Sequence, residues 1–476
     1  MEHKTGTVVS KAKGHTRVQW AVSILACLTP ITYGLQCGWV SPMTKLLQSP
    51  ESPVGRPLSD TEISVIAAVP SVGAIFGILI LVFVVDAFGR RTAIFFMSLL
   101  QLTCWIIKIY PINPTSLIVA RVFSGLGAGG CFHVVPMYIK EISQDNIRGT
   151  LGSLATLFHN LGILIMYALG GYLDYYMVLY LVVGLPIITM VTIIKAPESP
   201  SFLVKMGNLE AASANIALLR GLDTRTDTRV LIEIDLIKKE DDYFKSIPNI
   251  SFFKIFKEKA WRRGFIIMTL IIIAHALSGV FAIINYASII LADSEIKISP
   301  ELQTLGIPIC LSIGTLITMC SVDKLGRKVL LGTAFILSVL AHCGLGFCIL
   351  LRGHGWATPT WLPIVAILFI VLCYGTGISP VPFIIMSELF NFQVRAKLMA
   401  CLCIMGWFWS FFQLIGFTAV TNTFGAHISF FTFAVINLLG AIVVVVLLPE
   451  TGGRSVEHIE SKLRKEKKID REFGNK

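Results

Sequence analysis

The sequence predicts an all-α membrane protein: twelve transmembrane helices in two pseudo-symmetric six-helix bundles. Three observations lead there. The 476-residue chain is 54% hydrophobic and 14% charged, a balance too apolar for a soluble globular protein. Apolar runs of about 20 residues or more, the length a helix needs to cross hydrocarbon, recur through it almost free of charge. And a charged six-residue stretch occurs twice, as Asp86-Ala-Phe-Gly-Arg-Arg91 and as Asp323-Lys-Leu-Gly-Arg-Lys328.

The apolar runs fall at 19–40, 62–85, 92–111, 115–139, 150–172, 177–195, 263–292, 301–322, 329–351, 360–387, 398–421 and 426–448, numbered here helices 1 to 12. Six precede the long polar segment at 197–260 and six follow it. The doubled stretch sits between helices 2 and 3 and again between helices 8 and 9, where Gly89 and Gly326 supply a sharp turn and the charges stay out of hydrocarbon. Two more pairs keep the same order. Glu141 precedes Arg148 by seven positions, as Glu388 precedes Arg395, and Pro197-Glu198-Ser199-Pro200 is echoed by Pro449-Glu450-Thr451-Gly452. Three matches in order make two homologous halves. The organisation expected is a tail at 1–18, a bundle at 19–200, a loop with short helices at 201–260, a second bundle at 261–450 and a tail at 451–476.

A net charge of +11 does not signal nucleic acid here, because its distribution follows topology. Lys and Arg crowd the first tail (Lys4, Lys11, Lys13, Arg17), the central loop (Lys238, Lys239, Lys254, Lys257, Lys259, Arg262, Arg263) and the last tail (Arg454, Lys462, Arg464, Lys465, Lys467, Lys468). The opposite side offers Lys45, Arg56, Lys108, Lys297 and Arg352. Positive charge marks the cytoplasmic side, so both termini and the central loop are expected there. Helix 1 is too long for a cleavable signal. The 11 Cys have no metal-ligand spacing, and those on the apolar runs (Cys104, Cys310, Cys343, Cys401, Cys403) read as small hydrophobes. The sequon Asn249-Ile-Ser251 falls in the cytoplasmic loop, where it stays unmodified.

Along the chain, helix 1 carries a polar, small-residue interruption, Gly34-Leu-Gln36-Cys-Gly38-Trp-Val-Ser-Pro42. Ser59-Asp-Thr-Glu62 has the spacing of a capping box that starts helix 2. Helix 4 holds Gly125 and Gly129, spaced for close helix approach, and Arg121, an intramembrane cation that needs a partner; Gln36 is the candidate. Asn208 caps a short helix to Leu219, with Leu209, Ala212, Ile216 and Leu219 on one face, and a second amphipathic stretch runs over 228–245. On helix 7, His275, Ser278, Gly279, Ala282 and Tyr286 share a polar face, with Asn285 at its edge. Helix 10 is broken by Gly375-Thr-Gly377-Ile-Ser-Pro380-Val-Pro382, a break tolerated where backbone is buried in protein or lines a cavity. Helix 11 presents Trp407, Trp409 and Gln413.

Together, the doubled Asp-x-x-Gly-Arg-Arg/Lys, Arg121-x-x-x-Gly125, Pro136-x-Tyr138-x-x-Glu141, Pro197-Glu-Ser-Pro200 and Pro449-Glu-Thr-Gly-Gly-Arg-Ser455 resemble the sugar porters of the major facilitator superfamily. The resemblance covers essentially the whole chain. Gly38-Trp-Val-Ser-Pro42 and Leu46-Leu-x-x-Pro50 are similar to the insect facilitated trehalose transporters within that family. The resemblance implies a midplane solute site between two bundles that alternate access by rocking, with no cofactor and no enzymatic step. It also implies a charge network of Asp86, Arg90, Arg91, Glu141, Arg148 and Glu198, mirrored by Asp323, Arg327, Glu388, Arg395 and Glu450, that shuts the inner gate.

The family's amide-rich sugar site is eroded here. Its helix 7 Gln-Gln-x-Ser-Gly-x-Asn stands as His275-Ala-Leu-Ser-Gly-Val-Phe281, its helix 5 Gln as Asn160, its helix 10 Trp as Phe383, and its helix 11 Asn-Trp as Gly406-Trp407. Carried over by position, the cargo-lining set is Gln36, Asn160, His275, Ser278 and Asn285, walled by Phe281, Phe383 and Trp407. The helix 1 position where proton-coupled members carry Asp is Gln36, which cannot titrate, so a uniporter is implied, for trehalose or a hexose such as glucose, at the plasma membrane. His275 keeps proton coupling open as an alternative; the lost amides leave open a poorly transporting sensor or a less hydroxylated cargo.

Overall fold

The computed structural model describes residues 14–144, 146–222, 227–246, 252–292, 299–454 and 456–464. Lys4, Lys11, Lys13, Lys297, Lys465, Lys467, Lys468, Ser455 and the Asn249–Ser251 sequon lie outside the described residues. Among those described there is no strand, and twelve helices are long and apolar enough to span a membrane. They are Arg17–Leu47, Asp60–Phe88, Arg90–Ile109, Pro114–Ile142, Arg148–Tyr172, Tyr175–Lys195, Lys259–Leu291, Glu301–Leu325, Arg327–Gly353, Leu362–Leu389, Val394–Phe424 and Ala426–Leu447, helices 1 to 12.

Local sequence sets their ends. Ser59 and Glu62 form the capping box at the start of helix 2, and Asn113 with Ser116 forms another at helix 4. Gly89 (φ 92°) and Gly326 (φ 85°) make the two charged turns in a backbone region closed to side-chain-bearing residues. The polar segment between the halves folds as expected: Asn208 accepts from the Ala211 N–H to cap Leu209–Arg220, and a longer helix covers Thr228–Ser246. Ala212 and Ile216 bury against Val230, Ile234 and Ile237. Leu219 turns the other way, into the core of helices 1, 3 and 4.

Four helices depart from regularity: helix 6 pauses only at Val183, whose angles stay helical (φ −63°, ψ −24°), and the other three do not depart as the sequence suggested. Helix 1 is barely interrupted: Trp39 keeps helical angles (φ −68°, ψ −36°) between Arg17–Gly38 and Val40–Leu47. Helix 10 is not severed by its glycines and prolines. The stretch Tyr374–Ile378 widens into a π-helix and Pro380 restarts the α-helix at its first turn, where a missing N–H costs nothing. Helix 7 is the one that breaks. It stops at Ala276, turns through Leu277–Gly279 with Gly279 at φ 101°, and restarts at Val280. His275, Ser278 and Tyr286 therefore do not share a continuous face.

The chain forms two compact units. One comprises residues up to 247 together with Ala282–Ile309; the other comprises 248–281 and everything from Cys310. The C-terminal part of helix 7 thus belongs to the first unit, where the Tyr167 hydroxyl donates to the Ile284 carbonyl and Ser288 N–H donates to Ser41 Oγ at 3.1 Å. Within that unit, glycines permit backbone-to-backbone contact. A Cβ on Gly125 would lie 2.2 Å from the Pro70 carbonyl, and one on Gly129 2.4 Å from that of Ala74. Helices 1 and 5 are as close, since a Cβ on Gly162 would stand 2.2 Å from the Ile31 oxygen. With rigid backbone on the far side, Gly162→Val should destabilise by about 3 kcal/mol, the upper end of overpacking costs. Gly152→Ala, on the same helix and facing open space, should not. Thermal melting of the purified protein, read by size exclusion, checks both.

Candidate functional site

The repeated charged motifs fold into two clasps of one design, one in each unit. In the first, Glu198 accepts the backbone N–H of Arg90 (3.0 Å), Arg91 (3.2 Å) and Ser199 (2.8 Å). The Arg90 side chain reaches Glu141 at 2.9 Å, and Glu141 also accepts the Ser199 hydroxyl. In the second, Glu450 accepts the N–H of Arg327 (3.0 Å), Lys328 (3.1 Å) and Gly452 (2.9 Å). Arg327 reaches Glu388 at 2.8 Å, and Glu388 accepts the Thr451 hydroxyl at 2.7 Å. The glycine at each turn makes room: a Cβ on Gly89 would fall 2.6 Å from Glu198 Oε2, and one on Gly326 2.8 Å from Glu450 Oε2. The first clasp is the deeper. Burial pushes the Glu198 carboxyl above its ordinary value in spite of its N–H donors. Burial also works to raise Glu450, but its backbone donors outweigh it and hold that carboxyl below.

The remaining members of the expected network sit at its margins. Asp86 is exposed and pairs with Lys205 (3.1 Å) instead of the arginines. Asp323 meets Arg327 at 2.9 Å while 80% exposed. Arg91 donates its guanidinium to the carbonyls of Ile194 and Ala196, both at 3.3 Å. Arg148 opens helix 5 half-buried, and Arg395 donates to the Phe390 carbonyl at 3.1 Å.

The expected cargo-lining residues divide between the units. Gln36, Asn160 and Asn285 are buried in the first. Arg121 does bind Gln36, but through its main chain: the guanidinium donates to the carbonyls of Gln36 (2.6 Å) and Ile66 (3.0 Å). The Gln36 side chain is held by another cation. Lys108 is fully buried near the end of helix 3, not exposed on the outer side as its position suggested. Its Nζ donates to Gln36 Oε1 at 2.7 Å and lies 3.8 and 4.4 Å over the rings of Trp39 and Trp105. Two indole faces and a carbonyl thus replace the carboxylate such a charge would ordinarily demand. Beside Asn160, His159 stacks on Tyr33 with centroids 4.9 Å apart.

His275, Ser278, Phe281, Phe383 and Trp407 lie in the second unit. His275 is buried in the last turn before the helix 7 break. Its Nε2 meets the Tyr374 hydroxyl at 3.1 Å, its ring stacks on that of Tyr374 at 5.6 Å, and Phe281 and Phe383 approach edge-on at 6.5 and 5.9 Å. Ser278 is buried in the break itself, and Trp407 is half-buried on helix 11. The second unit thus carries a mostly aromatic wall with polar tips at His275 and Ser278, and the first carries three buried amides; such surfaces suit an uncharged solute with both C–H faces and hydroxyls. Among the residues described for these two walls, none is a nucleophile set against a base.

A family model described as "Sugar (and other) transporter" matches residues 22–463. The chain belongs to that family. It is 28% identical over 387 residues to a facilitated trehalose transporter Tret1-2 homolog of Drosophila simulans, covering 80% of this chain and 77% of that one. Facilitated trehalose transporter Tret1 of Aedes aegypti matches at 28% identity over 381 residues, and there the chain spans 47% of the relative's length. The fold matches the inward open, partially occluded xylose transporter XylE of E. coli with a TM-score of 0.76 at 19% identity, covering 92% of this chain and 100% of that chain. This protein is therefore a sugar transporter with the major facilitator fold, a multi-pass membrane protein and not an enzyme.

Sequence reasoning passed over several residues that this sugar transporter uses structurally. Lys108 looked like an outer-loop charge because it ends an apolar run. Trp105, three positions earlier on the same helical face, was the available signal. Tyr374 was hidden beside the more conspicuous glycines of helix 10. Ser199 and Thr451 stood inside quoted motifs without a role. Arg90→Ala should destabilise by about 3 kcal/mol, because it strands the half-buried Glu141. Arg327→Ala should cost less, because Asp323 and Glu388 are better solvated. Paired thermal melts of the two variants test the order.

Proposed function

We propose that this sugar transporter is a facilitative uniporter, moving trehalose or a hexose such as glucose across the plasma membrane by alternating access, with both termini in the cytoplasm. The observation that carries the uniport reading is the environment of Gln36. The amide cannot titrate, and its oxygen is already engaged by Lys108 Nζ at 2.7 Å, so no titratable carboxylate stands at that position. The cytoplasmic placement of the termini is supported by the crowding of Lys and Arg in the sequence of the two tails and the central loop. Trehalose is suggested by the named relatives, and either sugar suits the walls described. Phe281, Phe383 and Trp407 supply apolar surface for a pyranose C–H face, while Asn160, Asn285 and His275 supply hydrogen bonds to hydroxyls. On this reading the clasps form the inner gate, made in one state and released in the other.

Counterflow in proteoliposomes, with labelled trehalose and labelled glucose in parallel and no pH gradient, tests this directly. Overshoot with one of them that survives a protonophore is expected. Overshoot that the protonophore abolishes would point to symport through His275, and exchange of neither sugar by folded protein would point to a sensor or a different cargo. Asn160→Ala should weaken the affinity for the transported sugar by about tenfold, the worth of one lost hydrogen bond, with surface expression unchanged.

A further inference from the structure

Helix 7 surrenders hydrogen bonds in the middle of its apolar span, and side chains from helices 11 and 12 answer for the loss. A stopped helix leaves carbonyls without N–H partners, and a restarted one leaves N–H groups without carbonyls. In hydrocarbon each such group costs several kcal/mol unless protein satisfies it. At this break the tight turn closes two bonds itself: Leu277 N–H to the Ile273 carbonyl at 2.9 Å and Ser278 N–H to that of His275 at 3.3 Å. Three further groups that a continuous helix would have used internally are met from outside. With its amide in the orientation that satisfies both neighbours, Gln413 donates to the Ala276 carbonyl at 3.0 Å and accepts the Gly279 N–H at 2.5 Å. Asn437 donates to the Ser278 carbonyl at 3.1 Å and to the Phe433 carbonyl, one turn back on its own helix, at 2.7 Å.

All five residues are well packed. Gln413 is 3% exposed, and Ser278 and Asn437 are fully buried. Gly279 is indispensable to the arrangement. Its φ of 101° excludes other residues, and a Cβ there would come within 2.7 Å of the Phe433 ring and 2.8 Å of His342 Nε2.

We propose that Gln413 and Asn437 are positioning residues, whose amides take the place of the helical hydrogen bonds given up at Leu277–Gly279. They thereby fix where the His275-bearing segment of helix 7 ends. A side-chain amide suits this task because it presents a donor and an acceptor at a set separation. Gln413 bridges a carbonyl and an N–H three residues apart that a closed helix would have paired elsewhere, the Ala276 carbonyl with the Val280 N–H and the Gly279 N–H with the His275 carbonyl. A helix closed through 276–280 would evict Gln413 and leave its two polar atoms unpaired. The amides therefore hold the break at one place, and His275, whose carbonyl closes the turn, is oriented through them.

Hydrogen–deuterium exchange on the full-length protein in nanodiscs tests this, comparing wild type, Gln413→Leu, Asn437→Leu and Gln413→Glu. Amides at 277–281 in the Leu variants should exchange about tenfold faster than in wild type, with helix 5 unaffected. Gln413→Glu, which keeps the acceptor for Gly279, should fall between. The role in transport rests on the cargo-site reading above. Its expected signature, with flux expressed per folded transporter counted by size exclusion so that lost protein drops out, is a maximal flux about tenfold lower with a half-saturation constant within about threefold. Unchanged exchange at the break in both Leu variants would overturn the proposal, as would faster exchange spread equally over helix 5. If neither Leu variant folds, Gln413→Glu and wild type still decide. Break amides that exchange in wild type as fast as the exposed turn at Gly353–Gly355 would refute the clamp. Faster exchange at the break with untouched flux would uphold the clamp and count against His275 as a cargo-facing residue.

Discussion

Hydrocarbon supplies no hydrogen bonds, and every irregular feature of this chain is arranged around that fact. Where the helices stay regular, the main chain satisfies itself and the sequence is free to be greasy. At four places a buried cation or an irregular stretch of helix is met by specific protein partners. Arg121 spreads its donors over two main-chain carbonyls. Lys108 is sandwiched between indoles and capped by Gln36. The widened turn of helix 10 is met by Thr318, whose hydroxyl donates to the carbonyls of Gly375 and Thr376. The break in helix 7 draws on Gln413 and Asn437. These are one solution applied four times.

The two clasps show how a duplicated half preserves geometry while its periphery drifts. In both, a carboxylate accepts consecutive main-chain N–H groups at a Gly-Arg turn, a second carboxylate holds the Arg side chain, and a neighbouring hydroxyl donates to the second carboxylate. What is shared lies close in and is fixed by backbone. What differs lies further out: Asp86 has left for Lys205, while Asp323 remains with its arginine. The half-buried Glu450 sits in a shallower seat than Glu198, so the same motif has different electrostatic depth in the two units.

Legibility in the sequence follows the range of the interactions concerned. Twelve spans were readable because hydrophobic length is a property of a window. The clasps were readable because glycine, arginine and glutamate recur at fixed intervals, and the capping box at Ser59–Glu62 because it spans three residues. The fate of helix 7 was not readable. A Ser-Gly pair is tolerated in many membrane helices, and the bonds that make it a break come from positions as much as 159 residues away. Helix 10 erred in the opposite direction. Its prolines and glycines looked disruptive one by one, yet Pro380 falls where a helix begins, and the π-turn absorbs the rest. The polar lining was legible only by position. Gln36 was placed correctly beside Arg121, but its side chain had been claimed by a lysine that composition alone assigned to the surface.

Arg121 has an electrical consequence. A guanidinium does not give up its proton in a protein, so the first unit always carries a positive charge inside the membrane dielectric. A full crossing of the membrane field is worth about 2.3 kcal/mol per elementary charge for each 100 mV. Any tilt that carries this unit along the membrane normal moves that charge through part of the field. On the alternating-access reading proposed above, the step that moves this unit would itself be a small charge movement, whatever the charge of the cargo.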